Sequence, residues 1–375
     1  MGKNMKKRFK TKDGLTFDQS YHQVIDGQGT QRGKAFDQAY MTRDGRTVDS
    51  TGSFLVGELE RLDLSLHKPL AAVTWGRDID LREDVTIADD VSSFTISSFA
   101  SAGGLGQGQG VGTGKSWIGR KANQVPNTSV DIAKIANPLT PWGNELAYTI
   151  FELEAAARLG RPIDQQKFEA LQLKHQMDID EQVYVGDTGL SLGGLVNHPL
   201  VSAYGTVASV STGVSGFTQF AKKTADEILA DINSWLISVW AASAYAVIAK
   251  DILLPPSQYG YLSTQKVSQA GNVSILKYIL ENNIYTQSEG KPISIQPLKW
   301  LAGSTDAGLA TAIGNGGLDR AVVYSKDKDR VRFPMTTLNR TPVQFDSIFH
   351  KSTYFCKLGA VEVVYPETLG YFDGL

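Results

Sequence analysis

Residues 161–187 read RPIDQQKFEALQLKHQMDIDEQVYVGD, and this stretch decides the fold. Pro162 closes whatever precedes it, because it lacks an amide hydrogen and disfavours helix in the residue before it. Asp164 offers a side-chain oxygen to the open amides of a new helix. No glycine or proline follows until Gly186. The spacing predicts one helix over 164–184, roughly 30 Å long at about 1.5 Å per residue. Ala170, Leu173, Met177 and Tyr184 fall on one face, with Phe168, Ile179 and Val183 nearly opposite. Two apolar stripes predict a helix contacted from two sides.

Working outward, Asn144 opens a helical pattern through Leu146, Ile150, Leu153 and Ala157, stopped by Gly160 and Pro162. Downstream, Thr224 and Glu227 form a capping-box pattern ahead of Ile228, Leu229, Ile232, Leu236 and Val239. A short apolar run ends at Pro256, and a further helix is predicted over 274–282. From Ile293 the chain reads as strands separated by turns, most clearly at 321–324 and 360–365. Upstream, residues 91–99 (VSSFTISSF) read as a strand, and strand-like sequence resumes near 129–135. Between them, 101–119 (SAGGLGQGQGVGTGKSWIG) is too glycine-rich to fill a core. A long hairpin with a flexible tip is the simplest reading. Ser53 caps a short helix carrying Phe54, Leu55, Leu59, Leu62 and Leu66, with Pro69 beyond it. Residues 1–52 are polar and studded with glycine, and read as an extended arm.

The whole chain has 375 residues, a formal net charge of -2, 42% hydrophobic and 20% charged residues. A near-neutral chain is not a dedicated nucleic-acid binder. One local exception is the start, where Lys3, Lys6, Lys7, Arg8, Lys10 and Lys12 cluster. They read either as a solvated terminus or as a tail that meets phosphates. A single cysteine, Cys356, excludes an internal disulfide and a cysteine-based zinc site, and fits folding in a reducing cytoplasm. The start lacks the apolar core of a secretory signal. The longest apolar stretch, 235–249, is broken by Ser238 and Ser243 and is shorter than the ~20 residues a bilayer requires.

Two motifs imitate enzyme sites. GTGKS at 112–116 resembles a phosphate-binding loop, but the position that must be glycine is Gln109, and Trp117, Ile118 and Gly119 make a poor helix start. Gly189, Ser191 and Gly193 match a nucleophile elbow, yet the preceding segment reads as a helix end, and Gly194, Asn197 and Pro199 prevent a prompt helix after it. A glycine-rich turn is the better reading. The five histidines, His22, His67, His175, His198 and His350, show no zinc-binding spacing. The pairs Asp78/Asp80, Asp178/Asp180 and Asp327/Asp329 lack the glycine and terminal glutamate of a calcium loop. No catalytic, cofactor or metal site is expected.

The order of the segments carries a resemblance. The run from Glu145 to Leu159, Arg161-Pro162-Ile163-Asp164, the long helix ending in Tyr184-Val185-Gly186-Asp187, and Gly194-Leu195-Val196-Asn197-His198-Pro199 together resemble the centre of tailed-bacteriophage major capsid proteins. The similar group is the branch of uncharacterised phage structural proteins. Further on, Ile252-Leu253-Leu254-Pro255-Pro256-Ser257-Gln258-Tyr259, Ser274-Ile275-Leu276, Asp319-Arg320-Ala321-Val322-Val323-Tyr324, Phe333-Pro334-Met335 and Tyr371-Phe372-Asp373-Gly374-Leu375 resemble the same group. The similarity runs from about residue 53 to the end and leaves 1–52 and 101–119 unmatched.

The resemblance implies an α+β, HK97-like capsid fold and a structural protein without enzymatic activity. Its parts would be an N-terminal arm (1–52), a helix and the start of a peripheral domain (53–90), and an E-loop hairpin (91–140). The peripheral domain would continue over 141–216 with its spine helix at 164–184. An axial domain (217–320) and C-terminal strands (321–375) would complete the subunit. The implied assembly is of homo-pentamers and homo-hexamers in an icosahedral or prolate head enclosing double-stranded DNA, built in the host cytoplasm. A portal protein and, in some heads, a decoration protein are implied partners, and no membrane is. The first 52 residues are too short and glycine-rich for a fused helical scaffold, so a separate scaffolding protein is expected. Lys115, Trp117, Arg120, Phe94 and Phe99 are candidate contacts between subunits, and Lys6, Lys7, Arg8 and Lys10 candidate DNA-facing cations. Three other readings stand beside this one: an encapsulin-like compartment shell, a tail or baseplate component, and a hydrolase using Ser191.

Overall fold

The computed structural model describes residues 71–101, 120, 128–159, 163–187, 189–201, 203–206, 218–268, 272–303 and 318–375, together with four strands before residue 49. The chain divides into two compact units, Met1–Leu70 and Ala71–Leu375. In the first, β1 (Lys6–Lys10), β2 (Thr16–Ile25), β3 (Gln31–Arg43) and β4 (Arg46–Val48) pair in sequence order as an antiparallel meander. The helix expected after Ser53 lies outside the described residues, as does the hairpin tip at 102–119.

The second unit opens with α1 (Trp75–Asp78) and β5 (Asp80–Arg82), then the two long strands β6 (Val91–Ser101) and β7 (Thr128–Pro138). These pair from Val91↔Pro138 to Ser101↔Thr128, which is the long hairpin expected from sequence. β8 (Thr140–Thr149), α2 (Ile150–Leu159) and the long α3 (Ile163–Tyr184) follow. A tight knot of two short strands, β9 (Gly186–Asp187) and β10 (Leu192–Gly193), ends that helix. Gly186 has φ +73°, and a Cβ at Gly194 would lie 2.2 Å from the Tyr184 carbonyl oxygen, so both positions require glycine. Asn197 closes the knot. Its Oδ1 accepts from the Gly194 amide at 2.7 Å and its Nδ2 donates to the Val185 carbonyl at 2.7 Å.

After β11 (Ala203–Thr206) comes α4 (Ala225–Ala242), then β12 (Asp251–Leu254), α5 (Pro256–Thr264), α6 (Ile275–Asn282), α7 (Ile284–Glu289) and β13 (Ser294–Pro297). The remaining strands are β14 (Arg320–Tyr324), β15 (Val331–Pro334), β16 (Asn339–Arg340), β17 (Gln344–Asp346), β18 (Phe349–Leu358), β19 (Glu362–Val363) and β20 (Leu369–Asp373), with 3-10 turns at Lys299–Leu301 and Pro366–Thr368. The capping box at Thr224 and Glu227 forms with both of its hydrogen bonds. Beside it, Lys223 pairs with the buried Asp231. The helix expected at 274–282 is α6, with Ser274 capping the Lys277 amide.

A five-stranded mixed sheet, in the order β11-β20-β14-β12-β13, lies between two apolar cores. Alternate residues serve opposite sides. Leu253, Val322, Tyr324 and Tyr371 join Ile179, Val183, Tyr184 and Leu195 in one core. Ile252, Leu254, Ala321, Val323 and Phe372 join Ile228, Ile232, Trp235 and Leu236 in the other. Every residue of β14 is therefore buried. Arg320, at its start, donates to both carboxylate oxygens of Asp373 at 2.6 and 3.0 Å and to the Val196 carbonyl at 2.7 Å.

Three expectations need correction. The segment starting at Asn144 is strand up to Thr149, because β8 pairs with β18 over ten consecutive positions, from Thr140↔Leu358 to Thr149↔Phe349. The helix begins only at Ile150, where Thr149 and Glu152 form a reciprocal cap. On α3, Ala170 and Met177 are exposed, and the buried face is Leu171, His175, Ile179, Asp180, Val183 and Tyr184. Two polar residues on that face hide it from a hydrophobicity reading. Asp180 accepts from the amides of Thr74 and Trp75 and from Trp300 Nε1, at 2.8, 3.1 and 2.8 Å. Thirdly, 360–365 contains only the two-residue β19.

Thr224→Ala removes the side-chain half of the α4 cap, at a cost of about 1 kcal/mol. A lowered urea midpoint with an unchanged slope is the expected result.

Candidate inter-subunit surfaces

The β6–β7 hairpin is eleven residues long in each strand, roughly 36 Å at about 3.3 Å per residue. Two strands alone cannot bury an apolar face. Val130 and Ile132 are 62% and 68% exposed, and the register sets Phe99 opposite Val130.

The root of the hairpin is held by a buried carboxylate. Glu362 on β19 has a fully buried side chain. It accepts from Arg82 Nη1 at 3.1 and 3.2 Å, from Arg332 Nε at 2.7 Å and from the Ser92 hydroxyl on β6. Arg82 also donates to the Ser93 carbonyl at 3.1 Å. On the other side, Lys357 Nζ donates to the Asp89 carbonyl at 2.8 Å and to Asp90 at 2.7 Å. The hairpin thus leaves the sheets β19-β15-β5 and β8-β18 from a charged, hydrogen-bonded collar.

A second surface lies where α2 meets the β17–β18 turn. The Ile150 amide donates to the Ile348 carbonyl at 3.1 Å, which joins the two elements. Phe151 and Phe345 are 71% and 75% exposed, and Ile150, Val343, Ile348 and Phe349 are also exposed. Beside this projection opens a cleft of about 510 Å³ between α3 and the β8–β18 sheet. Leu146, Tyr148, Leu153, Phe168, Val343 and Tyr354 line it, with Arg340 and His350 among its polar groups.

Of the residues singled out from sequence, Arg120 is an exposed turn residue. Phe94 is buried beneath Arg332, whose guanidinium carbon lies 6.0 Å from the ring centre. It faces its own subunit, not open solvent. Lys115, Trp117 and the side chain of Phe99 lie outside the described residues. Lys6, Lys7, Arg8 and Lys10 stand on β1, in register with Ser20, Gln19, Asp18 and Thr16. The α2/β17–β18 projection was missed. Phe345, Ile348 and Phe349 close together in sequence were its one visible signal.

The enzyme-like motifs do not become sites. Ser191 is exposed at φ 55° in the turn between β9 and β10, which pair antiparallel, so no helix follows it. His175 is buried with Nε2 3.3 Å from Cys356 Sγ. Burial pushes that thiol up to about 11 and lowers the imidazole, so both stay uncharged near neutrality. Among the described residues no group of three His, Cys, Asp or Glu side chains is placed to hold a metal ion, and no helix is long and apolar enough to cross a membrane.

A family model described as "Major capsid protein" matches residues 114–375. No curated protein matches the sequence. Among solved structures, the capsid of Myoviridae phage XM1 is similar at TM-score 0.64 and 17% identity, covering 85% of this chain and 98% of that one. The Mycobacterium phage Adephagia structure is similar at TM-score 0.51 and 11% identity, covering 86% and 97%. The cyanophage P-SCSP1u capsid is similar at TM-score 0.50 and 11% identity, covering 84% and 92%. At these identities the likeness is one of fold.

Glu362→Ala leaves Arg82 and Arg332 facing each other without their shared acid. Removing one partner of a buried ion pair costs about 3 kcal/mol, and a drop of that size in unfolding free energy is expected from chemical denaturation.

Proposed function

The chain belongs to the major capsid protein family, with an HK97-like fold and a structural role in the shell of a phage head, and we propose how its parts serve that shell. The β6–β7 hairpin is the E-loop, reaching over a neighbouring copy. α3 is the spine of a peripheral domain formed by 141–216 and 321–375. Residues 217–320 form the axial domain near the capsomer centre, and 1–52, where β1–β4 pair as a meander and do not run as one extended segment, take the place of the N-terminal arm. Copies associate as pentamers and hexamers, and these close into an icosahedral or prolate head around double-stranded DNA.

One observation carries this reading: a two-stranded hairpin rooted in a buried ion cluster and bearing exposed Val130 and Ile132. A rigid root with an uncovered apolar face suits a part whose partner is another chain. Permanent assemblies bury roughly 2,000 Å² or more at each contact, and an arm supplies such area without enlarging the core.

The remaining assignments follow the same logic. Trp117, with Lys115, Arg120 and Phe99, anchors the hairpin end on the neighbour, since tryptophan dominates interface energetics. Lys6, Lys7, Arg8 and Lys10 face the interior and meet DNA phosphates without sequence preference. Further partners are a separate scaffolding protein, a portal protein and, in some heads, a decoration protein. Assembly takes place in the host cytoplasm, and the product is the virion capsid.

Negative-stain microscopy of the full chain, expressed with its neighbouring head proteins, is expected to show closed shells. A stable monomer at micromolar concentration, tubes or rings, or particles loaded with an enzyme in place of DNA would overturn the reading. Trp117→Ala is expected to cut particle yield with the subunit fold intact. Changing Lys6, Lys7, Arg8 and Lys10 together to Gln is expected to reduce DNA retention, more so at raised salt. Protease access to this segment on intact particles would refute its interior placement.

A further inference from the structure

We propose that the projection at α2 and the β17–β18 turn is a second contact between copies, in which its aromatic side chains enter the α3/β8–β18 cleft of another copy. Isolated exposed apolar residues are ordinary on a protein surface, but a contiguous group of this size marks an interaction site. Here Ile150, Phe151, Val343, Phe345, Ile348 and Phe349 are all exposed on two elements joined by the Ile150–Ile348 hydrogen bond. Phe345 has one ring neighbour among the described residues. It stands opposite His350 in the β17–β18 register, and the two rings meet edge-on at 4.6 Å.

The cleft is of the size and character that receives such a group. Its volume of about 510 Å³ lies within the range of pockets that enclose an apolar ligand. Tyr148, Phe168 and Tyr354 supply aromatic walls, and the Phe168 and Tyr354 rings pack at 5.5 Å. Arg340 is fixed among them by an Nε hydrogen bond to the Ser352 hydroxyl at 2.8 Å.

Two features point to a second copy as the occupant. His350 touches the projection and also lines the cleft, so the two lie side by side on one edge. Every copy therefore carries both halves, and a contact between identical edges satisfies both at once. Charge does not oppose it: Asp346 on the projection is paired with Lys351 of the same turn at 2.8 Å, so no uncompensated charge meets the Arg340 guanidinium of the cleft. The family supplies the setting, since a shell places many identical copies edge to edge. This contact is separate from the one made by the β6–β7 hairpin.

The test uses full-length chains in assembled particles. Phe345→Cys and Leu153→Cys are made in separate chains and co-assembled, then oxidised and run on a non-reducing gel. Native Cys356 is buried and stays silent. The expected result is a disulfide-linked dimer of the two variants, at least about tenfold more abundant than in particles of either variant alone. Absence of that dimer from mixed particles overturns the proposal. So does preferential linkage of Leu153→Cys to Ile132→Cys, which would put the hairpin in the cleft, or to a different virion protein. Independently, Phe345→Asp is expected to keep the wild-type melting curve of the unassembled subunit while lowering particle yield about tenfold. Wild-type particle yield from that variant would equally overturn the proposal.

Discussion

Everything in the second unit hangs on a sheet that is buried on both faces. β14 has water on neither side, so each of its residues must find an apolar neighbour or a paired charge. Val322 and Tyr324 turn to the core that holds α3, and Ala321 and Val323 to the core that holds α4. Such a strand cannot slip by one residue without exchanging both cores. The two halves of the unit are therefore locked in register by a single element. Arg320 reinforces the lock, because its guanidinium ties β14 to Asp373 at the end of β20 and to the knot after α3.

This arrangement explains what the sequence reveals and what it conceals. α4 is legible because its capping box and its apolar stripe agree with each other and with the structure. β14 is legible because double burial makes it a continuous apolar run. α3 is legible in length but not in facing. Its inward side carries His175 and Asp180, whose partners Cys356, Thr74, Trp75 and Trp300 are far away in sequence. β8 is concealed for a related reason: Leu146, Ile150 and Leu153 keep helical spacing, and only the pairing with β18, some two hundred residues onward, makes the first of them strand. Local pattern yields to distant pairing wherever the partner strand is long. The projection at Phe151 and Phe345 is concealed too, since its residues come from two elements that meet only in the fold.

The buried carboxylates share a position in the architecture. Glu362 joins β19 to β5, β15 and the hairpin root. Asp180 joins α3 to the segment before α1 and to Trp300, with Lys299 at 3.1 Å. Asp78 receives the Tyr184 hydroxyl at 2.5 Å, and its carbonyl receives that of Tyr324 at 2.7 Å. Each stands where segments remote in sequence cross. Buried ion pairs add little net stability relative to apolar packing, because desolvation offsets attraction. They do penalise misplacement heavily, since a buried acid stripped of its donors is costly. Their position at the crossings suits a subunit whose parts must meet at one angle.

A shell makes opposite demands on the inside and the edge of its subunit. The inside must be a single structure, because small angular errors accumulate around a closed surface. The edge must present apolar area that only another copy covers. The chain divides these tasks by residue type. Acids and arginines stand at the crossings, and branched aliphatic residues fill the two cores. The most exposed phenylalanine, isoleucine and valine side chains, Phe151, Phe345, Val130 and Ile132, stand on the hairpin and on the α2/β17–β18 projection. A net charge of only -2 serves the same end, since many identical, strongly charged copies packed side by side would repel one another. Exposed apolar edges on a nearly neutral subunit would be a liability in a monomer. In the proposed contacts they become the surface that neighbouring copies cover.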